Sequence, residues 1–156
     1  MLKPPKEGEQ APNFELARDG GGTLSLRELA GKKIVLYFYP KDDTSGCTRE
    51  AIDFNRLKAA FATADTEIIG VSADSVASHD KFKTKHDLAL TLLSDPTKTL
   101  LGAYGVWVEK SMYGRKYMGV ERTTVLIGKN GKIAKIWPKV SVPGHAEEVL
   151  KAAQAK

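Results

Sequence analysis

The chain has 156 residues, 42% hydrophobic and 28% charged, the balance of an ordinary soluble globular protein, and that length suits a single domain spanning 1–156 around one core. Its net charge of +5 comes from lysines scattered along the sequence, Lys129, Lys132, Lys135 and Lys139 among them, without the aromatic-rich basic motif of a nucleic-acid binder. Apolar runs such as IVLYFY fall far short of the roughly 20 residues that span a bilayer, and MLKPPKEGEQAP lacks the apolar centre of a signal peptide, so a cytoplasmic protein with no membrane partner is expected.

The first clear element is KIVLYFY, residues 33–39, a continuous apolar, β-branched and aromatic run of the kind found in a strand buried on both faces. After the loop PKDDTSG, Ala51, Phe54, Leu57 and Phe61 recur three or four residues apart, which predicts an amphipathic helix from 47 to about 63 with Cys47 in its first turn. TEIIGVSAD reads as a second buried strand, and Ser75 is placed to cap a helix from Val76 to His86. In TLLSDPTKTLLGAYG, a short strand leads to a helix predicted to start at the cap Asp95 with Pro96 in first position and to end near Gly102 or Gly105. ERTTVLIGKNGKIAKIWP predicts two strands joined by a turn at KNG, followed by a helix from about Gly144 to the end. A βαβ unit followed by ββα gives a central mixed sheet flanked by helices, an α/β sandwich of the thioredoxin-like kind.

Cys47 is the only cysteine, so it is either inert core or chemically active. A sulfur at a helix N-terminus meets unpaired N–H groups and the positive end of the helix dipole, which favour thiolate over thiol. Thr44, Ser45 and Gly46 add hydroxyls and a backbone that a small ligand can approach. The competing reading is a buried cysteine packed as a small hydrophobe. Position favours chemistry, because a loop leaving the C-terminal end of a central strand is the preferred ligand crevice of open α/β sheets.

The segment YFYPKDDTSGCTREAIDF resembles the active-site segment of the peroxiredoxins, matching Pro-x-x-x-Thr-x-x-Cys at Pro40, Thr44 and Cys47. The similarity extends through GEQAPNFEL, IIGVSADS, LLSDP, YGVW and ERTTVLIGKNGKI, in the pattern of the bacterioferritin comigratory protein, or peroxiredoxin Q, branch. The resemblance implies a thiol-dependent peroxidase in which Cys47 is the nucleophile and Thr44, the Cys47 N–H and Arg122 hold the peroxide oxygens. It assigns Pro40 and Gly46 to the active-site loop, Pro40 shielding the sulfur, and makes Glu50 a candidate to orient Arg122. No cofactor or metal is implied. His79, His86 and His145 show no metal-ligand spacing and are expected to be structural or surface residues, and Trp107, Tyr113 and Trp137 are expected in the core or at its rim.

Three positions depart from the branch's usual pattern. Ile52 stands where many members carry a resolving cysteine, no cysteine occurs near Lys83 where others place it, and Ser45 replaces a usual proline, which is expected to loosen the loop. The chain thus resembles one-cysteine members, whose sulfenic acid must be reduced by an external thiol such as thioredoxin, glutaredoxin or glutathione. A monomer or weak homodimer is expected. A dithiol oxidoreductase is nearly excluded because Glu50 occupies the second position of a Cys-x-x-Cys pair. The remaining alternative is a non-catalytic redox sensor or binding module that uses the same activated sulfur.

Overall fold

The computed structural model describes residues 3–156. In chain order the strands are β1 (Glu15–Arg18), β2 (Thr23–Ser25), β3 (Lys33–Phe38), β4 (Thr66–Ser72), β5 (Thr91–Ser94), β6 (Trp107–Met112), β7 (Arg115–Val120), β8 (Thr123–Ile127) and β9 (Ile133–Trp137). The helices are α1 (Ser45–Arg56), α2 (Lys58–Thr63), α3 (Val76–His86), α4 (Thr99–Ala103) and α5 (His145–Ala155). Seven strands form one mixed sheet in the order β2-β1-β5-β4-β3-β8-β9, with β3–β4 and β4–β5 parallel and the other pairings antiparallel. This is the expected thioredoxin-like architecture.

The two-residue period of β3 divides the core. Ile34, Leu36 and Phe38 face one side, where they pack with Ile69, Val71 and Val125 under α4. Val35, Tyr37 and Tyr39 face the other, with Phe54 of α1, Phe61 of α2, Phe82 of α3 and Val149 of α5. Burial on both faces is why β3 shows no polar alternation. Each fully buried large apolar side chain of this set contributes roughly 1.5–3 kcal/mol.

Three sequence expectations need correction. The helix expected over 47–63 begins at Ser45 and is divided at Leu57, whose φ of −96° and ψ of 4° end α1 before α2 begins. Asp95 and Pro96 open a turn instead of a helix, with the Lys98 N–H on the Asp95 carbonyl, and α4 starts at Thr99. Asp95 still caps that helix from a distance, its Oδ2 accepting from the Leu101 N–H at 2.9 Å. Tyr113, expected in the core or at its rim, is 97% exposed at the tip of the β6–β7 hairpin, whereas Trp137 is buried as expected. Ser75 caps α3 as predicted, accepting from the Ser78 N–H. No helix among the described residues is long and apolar enough to cross a membrane.

At Gly70 in β4 the strand passes close under the Tyr37 ring. A Cβ there would lie 2.8 Å from the Tyr37 ring and from Leu92 Cδ2, a contact that a packed core relieves only by shifting its neighbours. Gly70→Ala is therefore expected to destabilise the fold by about 1–3 kcal/mol, read as a lower urea midpoint at unchanged m-value. An unchanged midpoint would show that Tyr37 can move without cost.

Candidate active site

Strand β3 ends at Phe38, and the chain crosses Tyr39 to Asp43 before Thr44 starts α1 as its N-cap. Cys47 is then the third helical residue, so its N–H belongs to the first turn, whose donors have no partner within the helix. The Thr44 side chain does not cap them. Its hydroxyl donates instead to the Lys41 carbonyl at 2.8 Å, which ties the loop to itself and leaves the first-turn N–H groups uncapped. The hydroxyl expected to hold a peroxide oxygen thus has its proton committed to Lys41, and toward a ligand it can only accept.

Cys47, Glu50, Ala51 and Phe54 lie along the inner face of α1 at helical spacing and are all buried. Phe54 anchors that face by stacking on Tyr37, with ring centroids 4.8 Å apart. Arg122 arrives from the other side. It immediately precedes Thr123, which pairs with Phe38 across the antiparallel β3–β8 ladder, so sheet register brings residue 122 alongside the strand end from which the Cys47 loop departs. Its backbone carbonyl is held by the Val140 N–H at 2.9 Å.

The guanidinium divides its two amino groups between two partners. Nη1 donates to Glu50 Oε1 at 2.6 Å and Nη2 to the Cys47 sulfur at 3.3 Å. Glu50, which sequence reasoning offered only as a candidate to orient Arg122, in fact makes the shorter of the two bonds. Gly46 makes room for this fork, since a Cβ on it would lie 3.1 Å from Nη2. Pro40 is half-buried in the preceding loop, and Ser45, where proline is usual, is exposed.

The site is nearly dry. Cys47 and Glu50 are each 1% exposed, and Glu50 Oε2 has no hydrogen-bond partner among the described residues. Burial, opposed by Arg122, pushes the Glu50 carboxyl up to about 7. Burial works against the Arg122 charge as well, but Glu50 and Cys47 outweigh it and raise its pKa. Behind the site His145 packs edge-on against Phe54 and Trp137, with Nε2 2.8 Å from the Thr124 hydroxyl. Burial brings His145 down to about 4, so it is neutral near pH 7 and adds no second cation.

Of the positions that lack a second cysteine, Ile52 lies on the outer side of α1, 42% exposed, and Lys83 on α3 donates to Asp19. Sequence reasoning left one group open between the core and the surface. His79, expected to be structural or on the surface, is fully buried beneath the active-site loop with Nδ1 2.7 Å from Asp42 Oδ2. Its signal was its place three residues before Phe82 on the inner face of α3.

Residues 8–136 match the AhpC/TSA family. The chain is 50% identical over 143 residues to a putative peroxiredoxin Bcp of Coxiella burnetii, covering 92% of this chain and 95% of that one. It is equally identical to peroxiredoxin Bcp of Bacillus subtilis, with 92% and 91% covered. A solved structure of peroxiredoxin Q from Xanthomonas campestris superposes with a TM-score of 0.87 at 46% identity, covering 91% and 90%. A mutant PrxQ from Xylella fastidiosa superposes at 0.90 with 38% identity over 99% and 97%.

The Glu50 carboxyl makes the fold's stability depend on pH. A carboxyl raised above its ordinary 4.5 contributes stability in full below that value and loses it as pH rises through about 7. Glu50→Gln cannot titrate, so the unfolding free energy of wild type minus variant is expected to fall between pH 4.5 and about 7 and to level off above it, in urea titrations at a series of pH values. A constant difference would mean that Glu50 is already ionised throughout that range. Sheet order, sequence identity and the pairing of one buried sulfur with a half-buried arginine thus agree: the chain belongs to the AhpC/TSA family, in its Bcp or peroxiredoxin Q branch, and is an enzyme of the thiol-dependent peroxidase class.

Proposed function

We propose that Cys47 is the nucleophile of a one-cysteine peroxidase acting on hydrogen peroxide and alkyl hydroperoxides, and that Thr44 and Arg122 hold the oxygens. The observation that carries this reading is the 3.3 Å approach of Arg122 Nη2 to the sulfur, with Glu50 fixing the other end of the fork. The Cys47 thiolate attacks the terminal oxygen, the O–O bond breaks, and the other oxygen leaves with the hydroperoxide's own proton as water or alcohol; the sulfenate left on Cys47 takes back from solvent the proton released when the thiol ionised and becomes a sulfenic acid. Arg122 and the uncapped first-turn N–H groups stabilise the charge that develops on the oxygens. The Thr44 hydroxyl, its own proton held by Lys41, accepts a hydrogen bond from the hydroperoxide O–H.

Recovery uses an external thiol. One thiol condenses with the sulfenic acid to a mixed disulfide and releases water, and a second regenerates Cys47 and leaves as an external disulfide. Thioredoxin, glutaredoxin and glutathione all have the required chemistry. Because Cys47 is buried, this half-reaction needs the first turn of α1 to unwind. Cys47, Glu50 and Arg122 come from one chain, which supports a single domain working as a monomer or weak homodimer. A cytoplasmic setting fits a chain with one cysteine that must be kept reduced.

Rapid mixing with hydrogen peroxide near neutral pH, with the sulfenic acid trapped and weighed by intact mass, is expected to show oxidation of Cys47 many orders faster than that of a free thiol and none in Cys47→Ser. Arg122→Ala is expected to slow the step by about 10²–10³-fold, the usual cost of removing one donor from a charge-stabilising site. Sustained peroxide consumption with added thiol separates this enzyme from a redox sensor, which oxidises once and stops. Oxidation at the free-thiol rate would overturn the proposal.

A further inference from the structure

The loop that carries Thr44 is gripped from α3. Asp42, in the middle of that loop, is nearly buried, and its carboxylate accepts from the Tyr39 hydroxyl at 2.6 Å and the Ser78 hydroxyl at 2.8 Å. Its backbone N–H donates to Asp74 Oδ2 at 2.8 Å. The third partner of the carboxylate is His79, whose Nδ1 lies 2.7 Å from Asp42 Oδ2 while Nε2 lies 2.8 Å from the Leu93 carbonyl. The residue before Asp42 is Lys41, whose carbonyl holds the Thr44 hydroxyl. A continuous chain of bonds therefore runs from β5 through His79 and Asp42 to the loop beside Cys47.

These contacts constrain the proton count. The Leu93 carbonyl can only accept, so Nε2 carries a hydrogen. An ionised Asp42 carboxylate can only accept, so beside it Nδ1 carries one as well; otherwise two lone pairs meet at 2.7 Å in a buried space. The groups facing the ring are Asp42 from the loop, Tyr39 from the end of β3 and Asp74 from the β4–α3 turn, while β5 offers only the Leu93 carbonyl. Burial acts to lower the His79 pKa, but Asp42, the Leu93 carbonyl and Asp74 outweigh it and raise it. Asp43, next in the loop, pairs with Lys85 and His86 at the surface, where solvent weakens the contribution.

We propose that Asp42 and His79 form a proton-dependent latch that positions the Thr44 loop over Cys47, holding it while the imidazole carries two hydrogens and releasing it when one is lost. The proposal rests on the peroxidase reading, in which Thr44 contacts substrate, and makes Asp42 and His79 positioning residues. A raised imidazole contributes its stability in full below its ordinary 6.5 and loses it as pH rises through the raised value, so the loop loosens on the alkaline side.

Asp42→Asn tests this, because an amide can donate to a neutral Nδ1 and to the Ser78 oxygen and so keeps the contacts without the extra proton. The ratio of variant to wild-type Cys47 oxidation rates is expected to rise several-fold between about pH 7 and about pH 9.5, the sulfur's own ionisation dividing out. A merely structural Asp42 gives a ratio that is constant with pH, which would overturn the latch. Nitrogen NMR of the wild-type ring supplies a readout that needs neither the variant nor activity: two ring N–H groups at neutral pH, one lost on the alkaline side together with amide protection at residues 41–45. A ring with a single hydrogen at neutral pH would likewise overturn it. Slow peroxide oxidation at every pH with a titrating ring would instead sink the peroxidase reading and spare the latch.

Discussion

The site depends on a cation and a carboxylate held together out of water. A buried ion pair has to recover the hydration both partners give up, and it does so only when the geometry is tight and the remaining hydrogen-bonding capacity is used. Arg122 meets this by dividing its fork between Glu50 and the Cys47 sulfur. Glu50 does not, since one of its oxygens has no partner among the described residues. The imbalance shows in the carboxyl being pushed up to about 7. A group of that kind is poorly suited to stability alone, and its geometry is what aims the guanidinium at the sulfur.

Everything around the pair serves to bring three distant segments to one point. The β3–β8 register fixes residue 122 beside the strand end, and both strands are buried along their whole length. Phe54 on Tyr37 fixes the far part of α1, so the angle of its first turn is set by a ring stack two turns away. Gly46 supplies the close approach and His145, neutral, fills the space behind without competing for Glu50. The opposite flank of the loop hangs on Asp42 and α3.

The strands and helices marked by a continuous apolar run, a cap or a turn signal were legible in the residues alone: β3, β4, α3, the β8–β9 pair and α5 all stand where those signals put them. The break at Leu57 was not, because Leu57 and Phe61 continue the helical spacing across it and only the backbone turns. Pro96 misled because a proline in first position fits a turn as well as a helix start. The β6–β7 hairpin carries Met112, Tyr117 and Met118 exposed, so it offers no buried face from which to read a period. In the site, the motif pointed to Cys47 and Arg122. The commitment of the Thr44 proton to Lys41 and the bond from His79 to Asp42 depend on side-chain directions that spacing does not encode.

The single cysteine shapes the fold's one mechanical requirement. In a chain with a second sulfur nearby, opening of α1 serves to join two residues of the same molecule; here it has to admit a foreign thiol to a sulfur that is 1% exposed. The distribution of anchors around α1 favours opening at one end only. Phe54 and Ala51 are sunk in the core, and Arg56 pairs with Glu147 of α5, so the C-terminal half is tied to the sheet and to another helix. The first turn has no side-chain cap, exposes Ser45, and is held mainly through Arg122 on the sulfur and Glu50. Oxidation changes the very atom at the end of that hold. Converting the sulfur to a sulfenic acid adds an oxygen to the acceptor that Nη2 faces, so the step that creates the need for a reductant also alters the contact that closes the site.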